Sequence, residues 1–276
     1  MVTFPNAKIN LGLDIVSKRP DGYHNLETVF YPIPLHDVLE ITPETGNDAP
    51  ACNFTMYNAV FEGDSDDNLV VKAYKILAAD YTLPKVKISL YKNIPTGAGL
   101  GGGSSDAAFA LKMLNDIAAL GLEENKLEEY AARIGADCAF FIKNLPAYAT
   151  GIGNILSPTT CDIKGYWLLL VKPEIHISTK EAYSLVVPAE PETPLKEIAA
   201  IPISDWKGKM KNDFEKSVFA KHPSMKKIKD DLYTMGAVYA SMSGSGSAFF
   251  GIFDSEPDMK ERRKHFVGMF CQCHKL

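Results

Sequence analysis

The stretch PTGAGLGGGSSD, at residues 95–106, holds five glycines between positions 97 and 103. Alternating apolar residues predict a strand before it, over residues 86–90, and a helical apolar pattern predicts a helix from about Ser105. Glycine lets the backbone reach positive φ and approach a ligand closely. A helix start presents unpaired N–H groups and the positive end of the dipole, which favour phosphate. A tight strand–helix turn alone would need fewer glycines, so the stretch predicts a phosphate-binding loop.

Two well-known phosphate loops do not fit this stretch. The Walker A loop ends in Gly-Lys-Ser/Thr, and no lysine follows these glycines. Gly97, Gly99 and Gly102 satisfy the GxGxxG spacing of the Rossmann fingerprint, but there a strand runs directly into the first glycine. Here residues 92–96 intervene and the flanking pattern is not βαβ. The GxGxxG match is therefore set aside.

The composition is that of an ordinary globular protein. The chain has 276 residues, of which 46% are hydrophobic and 23% charged, which suits two domains or one large domain. The 29 basic and 34 acidic residues give a net charge of −5, which argues against a general nucleic-acid binder. No stretch approaches the roughly 18 to 20 apolar residues of a membrane helix. We therefore expect neither nucleic acid nor membrane as a partner.

The N-terminal residues and the cysteines favour the cytoplasm. The first residues lack the basic and then apolar plan of a signal peptide. Five scattered cysteines, an odd number, fit a reducing compartment better than a disulfide framework. Cys271 and Cys273 form a close pair beside His274, but no second ligand cluster accompanies them. A reduced tail is therefore favoured over a metal site.

The pattern along the chain predicts an α+β fold. Residues 7–15 alternate strictly, which predicts a half-buried strand whose polar face carries Lys8 and Asn10. Asp66 or Asp67 is expected to cap a helix, and Ser178 to open a helix that carries Tyr183. Further strands are predicted at residues 26–35, 167–171, 238–242 and 248–253, and further helices at about residues 127–134, 212–219 and 260–266. Hairpins and helices mix without steady βαβ alternation, and a boundary near residue 155 gives domains 1–155 and 156–276.

Three segments together resemble one superfamily of small-molecule kinases. Residues 95–107 resemble the phosphate loop shared by galactokinase, homoserine kinase, mevalonate kinase and phosphomevalonate kinase. Residues 7–11 resemble the first motif of that superfamily, and residues 243–247 its third motif, a glycine hairpin that supports the phosphate loop. The resemblance implies two α+β domains with the active site in the cleft between them. The N-terminal domain would bind ATP and be similar to a ribosomal-protein domain, and the C-terminal domain would be ferredoxin-like and bind the substrate.

Within that superfamily, six short segments resemble one particular branch. The matching segments are residues 8–10, 19–24, 67–69, 101–105, 135–137 and 212–215. They resemble a branch that uses ATP with Mg²⁺ to phosphorylate the 2-hydroxyl of a cytidine diphosphate derivative of methylerythritol, in the non-mevalonate isoprenoid route. Because no transit peptide is recognised, we expect an enzyme of the bacterial cytoplasm rather than of a plastid. We expect a monomer or a homodimer. A homoserine- or mevalonate-type kinase and a non-catalytic binding module of the same fold stay open as alternatives.

The resemblance also assigns roles to residues. Lys8 would stabilise the transferred phosphoryl group and Asp137 would be the base, although Asp137 could instead cap a short helix and Lys8 could be a solvated strand residue. Tyr23 and Tyr183 would sandwich the nucleobase while His24 reads its edge. The other acceptor-binding residues would be Asn10 and Thr179. The nucleotide-binding residues would be Asn68, Lys92, Pro95, Gly97, Gly99, Leu100, Gly101, Gly102, Gly103, Ser104 and Ser105.

The sequence does not assign a magnesium ligand. Ser105 is the best candidate, because its hydroxyl belongs to the phosphate loop. Asp213 and Glu215 are acidic residues near the expected cleft. A salt-bridge role for these two carboxylates is at least as well supported as metal binding.

Overall fold

The computed structural model describes residues 1–46, 49–59 and 64–276 and confirms the α+β class. The strands are β1 (Val2–Thr3), β2 (Asn6–Lys18), β3 (His24–His36), β4 (Val38–Pro43), β5 (Cys52–Tyr57), β6 (Val86–Tyr91), β7 (Ala147–Thr150), β8 (Ile155–Pro158), β9 (Trp167–Lys172), β10 (Tyr239–Met242), β11 (Phe249–Phe253) and β12 (Phe270–Lys275). The helices are α1 (Leu69–Ala78), α2 (Gly102–Ile117), α3 (Glu124–Ile134), α4 (Phe140–Lys143), α5 (Thr179–Ala182), α6 (Leu195–Ile198), α7 (Phe214–Lys221), α8 (Pro223–Thr234) and α9 (Met259–His265).

The described chain packs into two compact units, each made of several segments. Unit 1 comprises Met1–Ala7, Leu35–Thr96 and Gly101–Leu145. Unit 2 comprises Lys8–Pro34, Gly97–Leu100 and Pro146–Leu276. The units follow packing rather than chain order, and the boundary near residue 155 stays a prediction.

Unit 1 places helices beside a four-stranded sheet with the order β1-β4-β6-β5. β4 is antiparallel to β6, and β5 is parallel to β6. α1 packs against α2, which also contacts α3 and α4. α1 begins at Leu69, because the side chain of Asn68 accepts a hydrogen bond from the Val70 N–H and caps the helix. The expectation that Asp66 or Asp67 caps this helix was wrong, since both lie in the preceding 3-10 turn, which Asp64 caps.

Unit 2 contains sheets with the orders β2-β3-β7-β8 and β10-β11-β9-β12. β2 was expected to be half-buried, yet its residues are buried on both faces from Asn6 to Ile15. The polar face can be buried because its side chains are hydrogen-bonded: Asn10 Nδ2 donates to Thr28 Oγ1 over 2.8 Å, and Thr28 Oγ1 donates to the Gly12 carbonyl.

The structure adds two elements of unit 2 that were not predicted and corrects the position of Tyr183. α8 was not expected, although Met225, Ile228 and Leu232 are buried at helical spacing. The expected reduced tail is the edge strand β12, which pairs with β9 and holds two free cysteines. Tyr183 lies not in α5 but in the 3-10 turn Tyr183–Leu185 that follows it.

The described residues hold no group of three or more His, Cys, Asp or Glu side chains able to bind a metal ion. A helix long and apolar enough to cross a membrane is likewise not found in that part of the chain.

Candidate active site

The second half of the glycine stretch forms the start of α2. This helix begins at Gly102, three residues earlier than predicted, after Gly101 in the left-handed region at φ +69°. A methyl group at Gly102 would lie 2.9 Å from Ile94 Cγ2, so this glycine is required by packing below the loop. At Gly103 the nearest atom is Leu69 Cδ1, 3.7 Å away, and the residue is exposed. The first N–H groups of a helix have no intrahelical partner, so this exposed start can receive an anion.

The first half of the stretch rests on the hairpin between β10 and β11. Gly97 and Gly99 have φ values of +63° and +79°. Ser243 Oγ donates to the Gly99 carbonyl over 2.8 Å, and the Ala248 N–H donates to the Ala98 carbonyl over 3.1 Å. The contact is so close that any β-carbon at Gly99 would overlap the Ser243 carbonyl. The expectation that a glycine hairpin supports the loop agrees with these contacts.

Lys8 lies beside this part of the loop. Its Nζ donates to Asn10 Oδ1 over 2.6 Å and to the Gly99 carbonyl over 3.2 Å. Its backbone N–H donates to the Leu100 carbonyl, and its ammonium lies 4.8 Å from the centre of the Phe30 ring. Only 3% of Lys8 is exposed, so the alternative of a solvated strand lysine was wrong.

Asp137 lies in the turn between α3 and α4. α3 ends before Gly135, as predicted, and the N-cap of α4 is Ala139. The alternative role of Asp137 as that helix cap was therefore wrong. Burial raises the pKa of the neighbouring Cys138 thiol to about 12, and a hydrogen bond with Ser104 opposes the rise only in part.

Two of the three predicted nucleobase residues, His24 and Tyr183, lie in contact in unit 2, and the sandwich of a base between Tyr23 and Tyr183 stays a prediction. The His24 and Tyr183 rings stack on each other, with centroids 4.8 Å apart and planes at 29°. The Tyr183 and Phe214 rings pack edge to face, with their centroids 4.7 Å apart. The stacked His24 and Tyr183 rings therefore leave no space between them for a base. Tyr23 is 62% exposed, so its ring has an open face. Thr179 opens α5, whose N-cap Ser178 accepts from the Glu181 N–H.

Two of the predicted nucleotide residues are engaged by protein groups. Asn68 caps α1, and Lys92 is buried between the carboxylates of Asp37 and Asp106. Asp37 and Asp106 were missed, because they lie 69 positions apart in the sequence and no local pattern relates them. Burial raises the pKa of Asp106 to about 7, although Lys92 pulls it down.

The remaining acidic residues have structural partners. Lys211 Nζ lies 2.8 Å from Asp213, whose other oxygen accepts from the Ile15 N–H. Lys229 Nζ lies 2.7 Å from Glu215. These contacts match the salt-bridge option. Ser105 Oγ is fully buried and finds no hydrogen-bond partner among the described residues.

Two family models match the chain. The model of the GHMP kinases N terminal domain matches residues 68–144, which include the glycine stretch and Asp137. The model of the GHMP kinases C terminal matches residues 195–266, which include the supporting hairpin.

Individual relatives extend the match to almost the whole chain. The chain is 57% identical over 273 residues to a protein of Bacteroides fragilis named 4-diphosphocytidyl-2-C-methyl-D-erythritol kinase, covering 98% of each chain. A crystal structure of 4-(cytidine 5'-diphospho)-2C-methyl-D-erythritol kinase matches with a TM-score of 0.79 and 30% identity, over 99% of this chain and 98% of that one. A homoserine kinase structure from Cytophaga hutchinsonii matches with a TM-score of 0.66 over 99% of this chain and 93% of that one, but its 14% identity shows the fold alone.

Proposed function

The chain belongs to the 4-diphosphocytidyl-2-C-methyl-D-erythritol kinases within the GHMP kinases, and we propose that it transfers a phosphoryl group from ATP to the 2-hydroxyl of 4-diphosphocytidyl-2-C-methyl-D-erythritol. The observation that carries the proposal is the 57% identity to a relative of that name over nearly the whole chain. The buried Lys8 beside the glycine loop supplies a chemical reason, because phosphoryl transfer depends on positioning and on charge stabilisation.

The glycine loop binds the ATP phosphates in this proposal. Gly97, Gly99 and Gly101 have the left-handed backbone that shapes the loop, and the start of α2 directs N–H groups and the positive dipole end toward an anion. Bound Mg²⁺ would supply positive charge that offsets the negative charge of the phosphates. The unpartnered hydroxyl of Ser105 fits a role as an oxygen donor to that ion.

Lys8 and Asp137 act on the reacting groups. The Lys8 ammonium offsets negative charge on the transferred phosphoryl group, and Asn10 fixes the position of that ammonium through the 2.6 Å hydrogen bond. Asp137 orients the acceptor hydroxyl and takes its proton as the new bond to phosphorus forms. A loose transition state needs little early deprotonation, so orientation is the larger share of this role.

The acceptor is held through its cytosine. Tyr23 offers an exposed ring face for stacking, while the His24–Tyr183 stack builds a rigid wall braced by Phe214. Thr179 at the start of α5 is available to the acceptor. A homoserine or mevalonate site needs no such aromatic group, so this cluster favours the cytidine compound over the two alternatives.

The experiment is an ATP-consumption assay across three acceptors. We expect turnover with 4-diphosphocytidyl-2-C-methyl-D-erythritol and none above background with homoserine or mevalonate. Turnover with either of these, or with no acceptor, would overturn the proposal.

A variant tests the assigned chemistry. Asp137→Asn keeps the size of the side chain but removes the proton acceptor, so we expect the single-turnover rate to fall by roughly 10²-fold or more. ATP affinity should stay nearly unchanged. A folded Asp137→Asn protein with near-normal turnover would remove Asp137 from the mechanism.

A further inference from the structure

Three charged side chains form a buried cluster below the start of α2. Lys92, which follows β6, places its Nζ 2.7 Å from Asp106 Oδ2 and in contact with Asp37 Oδ2. Asp37 lies between β3 and β4, and Asp106 is the fifth residue of α2. Exposure is 0% for Asp37, 1% for Asp106 and 6% for Lys92. The cluster, which we call the acid–lysine clamp, therefore joins three segments of unit 1 that are far apart in the sequence.

The clamp is also tied to the backbone that leads into the glycine stretch. Asp37 Oδ1 accepts from the Asn93 N–H over 2.6 Å and from the Ile94 N–H over 2.8 Å. A methyl group at Gly102 would lie 3.3 Å from Lys92 Nζ. Lys92 thus lies directly beneath the first turn of α2, and Asp37 holds the chain segment just before the loop.

Stability alone explains the clamp poorly. Two carboxylates face one ammonium, and Asp106 Oδ1 has no hydrogen-bond partner within the described part of the chain. Removing such ions from water is expensive, and apolar residues of similar volume commonly stabilise a fold as well or better. Burial alone would lower the pKa of Lys92, but the two carboxylates outweigh it and leave that pKa raised. The ammonium therefore stays charged below the loop.

We propose that Asp37 and Asp106 are positioning residues of the nucleotide site: through Lys92 they fix the first turn of α2, and thereby the N–H groups that receive the ATP phosphates. The inference rests on the proposed function of the glycine loop. It assigns the clamp to nucleotide binding and not to acceptor binding, because its contacts reach Ile94 and Gly102.

The test replaces the clamp by uncharged groups. The variant Asp37→Asn/Lys92→Met/Asp106→Leu removes all three charges together and keeps an amide oxygen for the Asn93 and Ile94 N–H groups. Calorimetric titration with the non-hydrolysed product ADP and, separately, with the cytidine acceptor measures the two sites. We expect a folded protein whose ADP affinity falls about tenfold or more, with acceptor affinity within twofold of wild type.

A matched control removes an ion pair elsewhere in unit 1. Glu128→Gln/Lys143→Met deletes a 2.9 Å surface pair between α3 and α4, and it should leave both affinities unchanged. If the triple variant does not fold, Asp106→Asn keeps the volume and one acceptor for Lys92, and its KM for ATP should rise several-fold while kcat and the acceptor KM hold.

The outcomes separate this inference from the proposed function. Wild-type ADP affinity in a folded clamp variant overturns the clamp alone. A parallel loss of ADP and acceptor affinity also overturns it, since that result indicates general damage to the fold. A wild-type protein that binds neither ADP nor ATP overturns both.

Discussion

Gly102 and Gly103 are neighbours in α2, but only Gly102 must lack a side chain for the surrounding residues to pack. A side chain at Gly102 would run into Ile94 and Lys92, whereas Gly103 is exposed and meets only Leu69 at an ordinary contact distance. A glycine count cannot reveal this difference, because it depends on what lies below each residue. The residue that tests ligand space without damaging the fold is therefore Gly103.

We predict that Gly103→Ala weakens ATP binding while the protein keeps its stability. Alanine is favoured over glycine in a helix by about 0.5 to 1 kcal/mol, but its methyl group restricts how closely a phosphate can approach the N–H groups. Thermal unfolding and calorimetric ADP titration provide the two readouts. Gly102→Ala is the comparison and should lower the melting temperature. Unchanged ADP affinity in Gly103→Ala would show that the loop does not hold phosphate there.

A second residue-scale prediction concerns Tyr183. Tyr183→Ala removes the ring that stacks on His24 and meets Phe214. We expect acceptor binding to weaken several-fold, seen as a raised acceptor KM at an unchanged ATP KM, because His24 loses the ring against which it packs. Tyr183→Phe retains the ring and should behave like wild type. If both variants raise the ATP KM equally, the aromatic cluster does not belong to the acceptor site.

Helix α1 depends on one side chain at its start. We predict that Asn68→Ala lowers the free energy of unfolding by about 1 kcal/mol, because the Val70 N–H loses its capping acceptor. Asn68→Asp keeps an acceptor and should restore most of the loss. Urea unfolding measures both. Equal losses in the two variants would mean that the cap is not the source of the stability.

Elements with strong periodic patterns were predictable, and those defined by distant partners were not. The alternation of β2 and the apolar spacing of α2 are local signals, and both elements are present. The spacing in α8 was equally visible, so that helix could have been found. β12 exists through its pairing with β9 about a hundred residues earlier in the chain, and no local pattern indicates that.

In the candidate site, too, residues in local motifs were predictable, whereas contacts between distant segments were not. The glycine loop, Lys8 and the Tyr183 region were identified from local motifs and a resemblance. The burial of Lys8 and the Asp37–Lys92–Asp106 cluster depend on segments brought together only by the fold. Charge in the sequence cannot distinguish a buried lysine from a solvated one.

The pH dependence of global unfolding should include a contribution from Asp14. Only 2% of Asp14 is exposed, and burial raises its pKa from 3.8 to about 6, with Lys211 lowering it in part. Since the folded pKa exceeds the unfolded one, the folded state binds the proton more tightly between these values. The stability linked to that proton is present below about pH 4 and is lost as pH rises to about 6.

We therefore predict that wild type loses stability relative to Asp14→Asn between pH 4 and pH 7. The expected change is at most about 3 kcal/mol, since one pKa unit corresponds to about 1.36 kcal/mol. Urea unfolding at the two pH values measures it. Asp254→Asn alters an exposed aspartate and should show no such change. A constant difference between wild type and Asp14→Asn would contradict the raised pKa.

The interleaving of the two units has a consequence for synthesis on the ribosome. Unit 1 has all its residues once Leu145 has been made, whereas unit 2 begins at Lys8 and ends at Leu276. The Leu11 carbonyl accepts a hydrogen bond from the Tyr239 hydroxyl, which is synthesised 228 residues later. Leu13 likewise forms a β-bridge with Asn212, which is also made much later. The apolar β2–β3 segment of the emerging chain must therefore stay unaggregated until Asn212 and Tyr239 have been synthesised. A nascent chain stalled after Leu145 should bind a hydrophobic-segment chaperone through β2, and release from that chaperone should coincide with emergence of β10.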